Sequence, residues 1–430
     1  MKNKRYIIVG NSIAGVSCIE GIRKIDKNGE ICVFSDEEYF NYSRPLISYY
    51  LAGSLKENQL NFKDKQFYKS NKVKLFLNTK CEKIDFKRKI LYTKSGNFEF
   101  DYLFLGTGGK PIIPKIKGIE NVKEGIFTFM KLKDVKKLKK YIEKEKKVKN
   151  VTILGGGLIG LKCAEGLLGR NIPLVIVELA DRLLPNTFDF IASEIIENKL
   201  KEKNCEIIKK NTIEKIISKD GILKEVILKD GKKIKTDILI IAVGVYPNTE
   251  LIEGTEIEKN KGIIVDEFMR TNINFVFAGG DVCESKEFDN NRSVIAIWPR
   301  ASRQGKIAGI NMAGGEKKYE GMFLMNSVEL IGIPTISFGI TNPENEKEYE
   351  ILKKIDYEKK IYKKIVIKEN KIVGGIFLRD IERAGIIIGL TKNKVDVQVI
   401  KKSLINDKFG LLYLPENYRK HIVKGEGIEV

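Results

Sequence analysis

Gly155, Gly157 and Gly160 stand in LGGGLIGLKC, and an acid, Glu178, follows at the end of the next apolar run, LVIVE. That order, strand, glycine turn, helix, strand, acid, turns backbone N–H groups and a helix N-terminus toward a pyrophosphate. It also sets a carboxylate against a ribose hydroxyl about 20 residues on. Leu158 and Ile159 complete the turn. A carboxylate at Glu178 accepts from the 2′-hydroxyl of an NADH ribose and repels the extra phosphate of NADPH, so NADH is the expected ligand. Arg182 lies close enough in sequence to keep NADPH open. A second such unit opens the chain. Tyr6–Val9 reads as a strand, Gly10, Asn11, Ser12, Ile13, Ala14 and Gly15 as the turn entering a helix, and EICVFSDEE as the next strand. Ser12 occupies the place of the second glycine, and either Asp36 or Glu37 can serve as the ribose acid.

These units need a scaffold, and the composition allows one. The 430 residues suggest two or three domains, and 43% hydrophobic with 31% charged residues is a globular balance. No apolar run reaches the ~18 residues of a bilayer span, and the polar Gly10–Asn11–Ser12 interrupts the one stretch with signal-peptide order. A cytoplasmic protein without membrane attachment is expected. The six cysteines, Cys18, Cys32, Cys81, Cys163, Cys205 and Cys283, are scattered, which fits reduced packing residues rather than a dithiol or iron–sulfur run. The single histidine, His421, lies in a polar tail, so imidazole catalysis and His-based metal sites are not expected, and the metal expectation is none. The net charge of +20 comes from lysines mixed with acids, as in KDVKKLKKYIEKEKKVKN, read as a solvated helical face or linker. It favours an acidic protein partner over nucleic acid, for which no reading motif is present.

Further stretches follow in order: DYLFLGTGGKP (101–111), TDILIIAVGVYPNTEL (236–251) and TNINFVFAGGDVCE (271–284). With the two cradles they make the chain resemble the flavoprotein reductases that bind FAD in one Rossmann-like domain and NAD(P)H in another. YSRPLISYYLAG and GGGLIGLKCAEGL are similar to the subgroup of NADH:rubredoxin reductase, the flavin portion of nitrite reductase, and related NADH oxidases.

The resemblance implies an α/β fold with two Rossmann-like dinucleotide-binding domains, for FAD and NAD, and a small α+β C-terminal domain. The expected FAD domain is 1–110 with 240–318, the NAD domain 111–239 and the C-terminal domain 319–430. Thr107 and Gly108 mark the exit from the FAD domain, Gly244 the return, and Gly280 with Asp281 the last FAD motif. Arg44, held at a helix start by Pro45, is expected to neutralise pyrophosphate or support reduced flavin. Cys81 falls where the family's backbone meets adenine. Trp298 starts a helix near the flavin ring, either shielding it or packing in the core. Lys162 replaces a glutamate common in the family. It either tunes the flavin or is a solvated helix lysine, and a Lys162→Ala protein with unchanged flavin potential would remove the tuning role. Close relatives that reduce disulfides or peroxide carry a redox cysteine just after the second strand, and nothing from Asp36 to Leu60 is cysteine. The expected enzyme passes hydride from NADH to FAD and electrons onward to a small acidic carrier such as rubredoxin or ferredoxin. An NADH oxidase and a redox-sensing FAD/NADH-binding protein are the alternatives.

Beyond residue 320, IYKKIVIKENKIVGGIFLRD reads as a hairpin turning at Glu369–Asn370, and IERAGIIIGLTKN and VDVQVIKKSLIN read as helices. In the family this domain lies near the flavin or in a homodimer contact.

Overall fold

The computed structural model describes residues 3–144, 148–170 and 172–414; His421 and the lysine-rich tail lie outside the described residues. Two five-stranded parallel sheets form the body. The first runs Val276–Ala278, Tyr102–Leu105, Arg5–Val9, Glu30–Phe34, Val73–Phe76. The second runs Cys205–Ile208, Leu174–Val177, Val151–Leu154, Ile238–Ile241, Ile126–Thr128. Their strands are near-continuous apolar runs because both faces are covered, one by helices and the other by a three-stranded antiparallel sheet, within 81–99 for the first and 213–235 for the second. All four residues of Val151–Leu154 and of Ile238–Ile241 are buried. In each sheet the central strand has its sequence successor on one side and a distant strand on the other. A crevice therefore opens at its C-terminal end, the switch point where such sheets bind ligands.

Backbone geometry explains the glycines at both crevices. Gly10 and Gly155 have φ of +111° and +109°, and a side chain on either would strike the carbonyl of the facing strand end, 2.1 Å from Gly106 O and 2.4 Å from Ala242 O. The third glycine of each unit lets the helix sit on the loop, since a Cβ on Gly15 or Gly160 would lie 2.0 Å from the carbonyl of Gly10 or Gly155. A stripe of small residues then brings helix Trp298–Met312 against helix Ile13–Ile25, with Gly305 over Ala14 and Gly309 over Cys18. This close crossing places the start of the later helix beside the first glycine turn.

The third unit is a five-stranded antiparallel sheet, Met325–Leu330, Ile333–Gly339, Lys371–Leu378, Ile361–Lys368, Glu350–Asp356, with helix Ala384–Lys392 on one side. The hairpin turns at Glu369–Asn370, both left-handed at φ +50° and +56°. VDVQVIKKSLIN does not form the expected α-helix. Val397 N–H donates to Asn370 O and Asp396 accepts from Gln398 N–H, which ties the segment to the hairpin turn, and only a one-turn 3₁₀ helix, Lys401–Ser403, follows. The lysine-rich stretch before residue 145 is helix Leu132–Lys144, with Leu132, Val135 and Leu138 buried under a solvated lysine face. Among the described residues no helix is long and apolar enough to cross a membrane.

Candidate functional site

A cavity of about 630 Å³ opens at the switch point of the first sheet, within the range of ligand pockets. Gly10, Asn11 and Ser12 form one wall, Asp36, Glu37 and Arg44 another, and Cys81 and Thr107 a third. Of the expected residues, Ile13, Ala14 and Gly15 lie beneath the turn and shape it, with Ile13 and Ala14 buried. Ser12 starts helix Ile13–Ile25 without a side-chain cap of its own, which leaves first-turn N–H groups for a ligand.

Arg44 leaves a one-turn 3₁₀ helix, Arg44–Leu46, in which Pro45 is exposed and fixes the backbone. The chain continues as helix Ile47–Ala52 and stops at Gly53, φ +84°. The guanidinium meets Glu37 at 3.4 Å. Burial works against its charge, yet Tyr42, Glu37 and Asp281 around it hold its pKa above the ordinary arginine value. Burial likewise pushes the Asp281 carboxyl up, against the pull of Arg44 and Arg300. Arg44 and Asp281, 237 residues apart by the numbering, are thus electrostatic neighbours. The two acids after the second strand divide. The Glu37 carboxylate, 12% exposed, accepts from Tyr42 Oη at 2.8 Å, while Asp36, 58% exposed, pairs with Lys131 at 2.9 Å.

Three polar atoms of cavity-lining residues are buried without a partner in the chain: Asn11 Nδ2, Asn41 Oδ1 and Asn248 Oδ1. Each such orphan costs about 1–3 kcal/mol unless something fills it, and a donor with two acceptors suits a polar, hydrogen-bonding ligand. The glycine cradle, the uncapped helix and these orphans fit FAD. Asn11 is itself held, accepting from Tyr68 Oη at 2.7 Å and, through its carbonyl, from Asn41 Nδ2 at 2.9 Å. Thr107 Oγ1 donates to Asn248 O and Gly108 O accepts from Asn248 N–H, so the exit and return crossings are tied together. Gly244, φ +117°, accepts from Ile112 N–H in the same pair of crossings.

Gly280, Asp281 and Trp298 are not among the residues lining this cavity, although Asp281 neighbours Arg44, which is. Gly280 N–H donates to Gln304 Oε1 at 2.9 Å, and its carbonyl faces Arg300. Arg300 has no exposed side-chain surface; it pairs with buried Glu287 at 2.8 Å, and Glu287 also accepts from Tyr319 Oη. This buried set fixes the turn that carries Asp281, and sequence reasoning missed all of it. Trp298 is half-buried, edge-on to Phe62 at 5.5 Å and packed against the first core. Cys81 is the one cysteine among those lining the cavity, and burial, with Asp36 adding, pushes its thiol up to about 12. At neutral pH it is a thiol, not the thiolate that redox exchange needs.

At the second switch point Gly157 faces open space and starts helix Leu158–Leu168 without a side-chain cap. Leu158 and Ile159 are half-buried in its first turn. The Glu178 carboxylate accepts from Gly156 N–H at 2.6 Å and Ala180 N–H at 2.8 Å, which places it over the glycine loop. Arg182 is committed elsewhere: it pairs with Asp181, donates to the Phe188 and Pro185 carbonyls, and stacks on Phe190. Lys162, 14% exposed, pairs with Glu165, lies over the Tyr49 ring at 4.6 Å and reaches the Glu329 carbonyl at 3.3 Å. It therefore bridges three units of the chain and is not among the residues lining the first cavity. Among the described residues no group of His, Cys, Asp or Glu is placed to hold a metal ion.

Two parallel sheets, each with a glycine cradle at its switch point, and a third antiparallel domain define a two-dinucleotide reductase. The chain belongs to the pyridine nucleotide-disulphide oxidoreductase family, which matches residues 4–305, and residues 325–395 match the rubredoxin NAD+ reductase C-terminal domain. It is an NAD(P)H-dependent flavoprotein oxidoreductase with FAD as its cofactor. It is 33% identical to an NADH oxidase of Methanocaldococcus jannaschii over 73% of this chain and 71% of that protein. It is 30% identical to a nitrite reductase [NAD(P)H] of Bacillus subtilis over 94% of this chain, and spans about half, 49%, of that longer protein. The structure of reduced CoADR-RHD from Bacillus anthracis superposes with a TM-score of 0.84 at 25% identity, covering 92% of this chain and 75% of that one.

Proposed function

We propose that the protein oxidises NADH and passes the electrons to a small, acidic one-electron carrier of the rubredoxin or ferredoxin kind. Bound FAD supplies the redox chemistry, accepting a hydride and releasing electrons one at a time. The chain supplies position and charge. Residues 10–15 would cradle the FAD pyrophosphate, Glu37 or Asp36 its ribose, and Arg44 would neutralise the charge that reduction adds. Gly155, Gly157 and Gly160 would cradle NADH, with Glu178 on its ribose. In this reading the domains divide at 1–110 with 240–318, 111–239, and 319–430. Lys162 acts on the flavin only if its ammonium leaves Glu165, and the flavin potential of Lys162→Ala decides that.

The observation that carries this reading is Cys81. It is the cysteine lining the cavity, and its protonated thiol leaves no cysteine there to relay electrons to a disulfide or peroxide. The match of the C-terminal domain to that of rubredoxin NAD+ reductase supports a carrier as acceptor, and a net charge of +20 supports an acidic one. The likeness to an NADH oxidase favours oxygen as the second reading. Turnover with NADH and an acidic rubredoxin or ferredoxin, with and without oxygen, separates them. Carrier reduction that outpaces oxygen uptake and slows as salt rises is expected; oxygen uptake accounting for all NADH consumed would sink the carrier reading.

The nucleotide preference is a second expectation. With Glu178 over the loop and Arg182 tied to carbonyls, NADH should be favoured over NADPH by at least tenfold in kcat/KM. Glu178→Ala should shrink that ratio to a few-fold, chiefly through KM. An unchanged ratio would show that another group reads the 2′ position.

A further inference from the structure

Residues 179–188 follow Glu178 and are held as one stiff piece. Leu184, left-handed at φ +55°, donates its N–H to Gly156 O at 3.0 Å, which ties the segment to the glycine loop. Arg182 folds back onto the Pro185 and Phe188 carbonyls. Helix Phe190–Lys201 holds the middle, with Ser193 Oγ donating to Leu183 O at 2.6 Å and Glu197 accepting from Leu183 N–H at 3.2 Å. Displacement at one end of this piece is thus passed to Gly156, against which Glu178 is set.

The far end is gripped by the C-terminal domain. Asn342 Nδ2 donates to Phe188 O at 3.0 Å, Tyr362 Oη to Asp189 Oδ2 at 2.6 Å, and Lys364 Nζ pairs with Asp189 Oδ2 at 3.0 Å. Asp189 is also the N-cap of helix Phe190–Lys201, accepting from Ala192 N–H. Across the cradle the same domain touches helix Leu158–Leu168, where Glu329 O meets Lys162. Lys364 is 2% exposed. A buried lysine–carboxylate pair is poor as a stabilising device, since an apolar pair of similar volume often does as well. What it does supply is a defined position.

We infer that the C-terminal domain sets the NADH affinity of the second cradle, with Asn342, Tyr362 and Lys364 acting through residues 188–189 as positioning residues. The inference rests on the reading of Gly155–Gly160 and Glu178 as the NADH site. The first cavity takes no wall from residues 179–189 or from the C-terminal domain, so FAD retention is independent of this clamp.

The test uses the full, FAD-loaded chain and its Asn342→Ala and Lys364→Met variants, mixed with NADH without oxygen while flavin bleaching is followed over a range of NADH concentrations. The apparent Kd for NADH should rise about threefold in Asn342→Ala and about tenfold in Lys364→Met. The limiting bleaching rate and the FAD content should stay within about twofold of wild type. Residues that only stabilise the domain would lower the melting temperature and leave Kd alone, so an unchanged Kd in both variants overturns the inference while leaving the NADH site standing. Should Lys364→Met fail to fold, the half-buried Asn342 decides by itself. A wild-type protein that no NADH concentration bleaches would instead overturn the site reading and the clamp with it.

Discussion

Gly10→Ala should purify with at least tenfold less FAD per chain than wild type. The new methyl faces two penalties at once. Its backbone would sit at φ +111°, where an L-residue is strained by about 1–3 kcal/mol. Its Cβ would also fall 2.1 Å from the Gly106 carbonyl oxygen, a backbone atom at the end of the neighbouring strand that cannot swing aside. Relief requires the turn to lift away from strand Tyr102–Leu105, which moves Asn11 and Ser12 out of the cavity wall. Every 1.4 kcal/mol of that displacement costs a factor of ten in affinity. The flavin-to-protein absorbance ratio checks it, and a variant retaining full FAD would show that Gly10 is free to shift.

The second large effect concerns a residue that makes no contact with the cavity. Arg300→Ala should lower the thermal midpoint by on the order of 10 °C, because removing one member of a buried ion pair strands the other, at a cost of about 3–5 kcal/mol. Glu287 would be left with Ser285 Oγ, Tyr319 Oη and the Met322 N–H but no cation, and Gly280 O, Cys283 O and Ser285 Oγ would each lose one donor. The turn carrying Asp281 rests on that set, so FAD release on mild heating should begin earlier as well. A scanning melt of the FAD-loaded protein measures both. A midpoint within about 2 °C of wild type would mean that water or a neighbouring group replaces the guanidinium.

These two residues mark the border between what the sequence discloses and what only the structure does. Gly10, Gly15, Gly155 and Gly160 are legible because each is required by a local backbone event, a positive φ or a helix laid on its own loop. The acids at the strand ends are legible for the same reason: their place follows from strand length and a two-fold side-chain period. Arg300, Glu287 and Tyr319 make a site only through three-dimensional closure. Read in sequence, they are three ordinary polar residues. The adjacent Lys363 and Lys364 mislead more strongly. In an alternating strand one of two neighbouring lysines should face water, yet both are buried, because Asp380 and Asp407 meet one and Asp189 of another domain meets the other. Lys162 belongs with them: its helix position was readable, but not its Glu165, Tyr49 and Glu329 partners. VDVQVIKKSLIN has helical spacing of apolar residues, and the Val397 N–H bond to Asn370 O at the hairpin turn, beside the local turn in which Asp396 accepts from Gln398 N–H, overrode it.

The central claim is that FAD is the only redox centre the chain provides. Anaerobic titration of the FAD-loaded protein with NADH, following the flavin's visible absorbance, tests it most directly. Complete bleaching at about one NADH per flavin is the predicted result, and the search then moves to acceptors. Consumption of a second equivalent would contradict the claim by exposing a thiol centre.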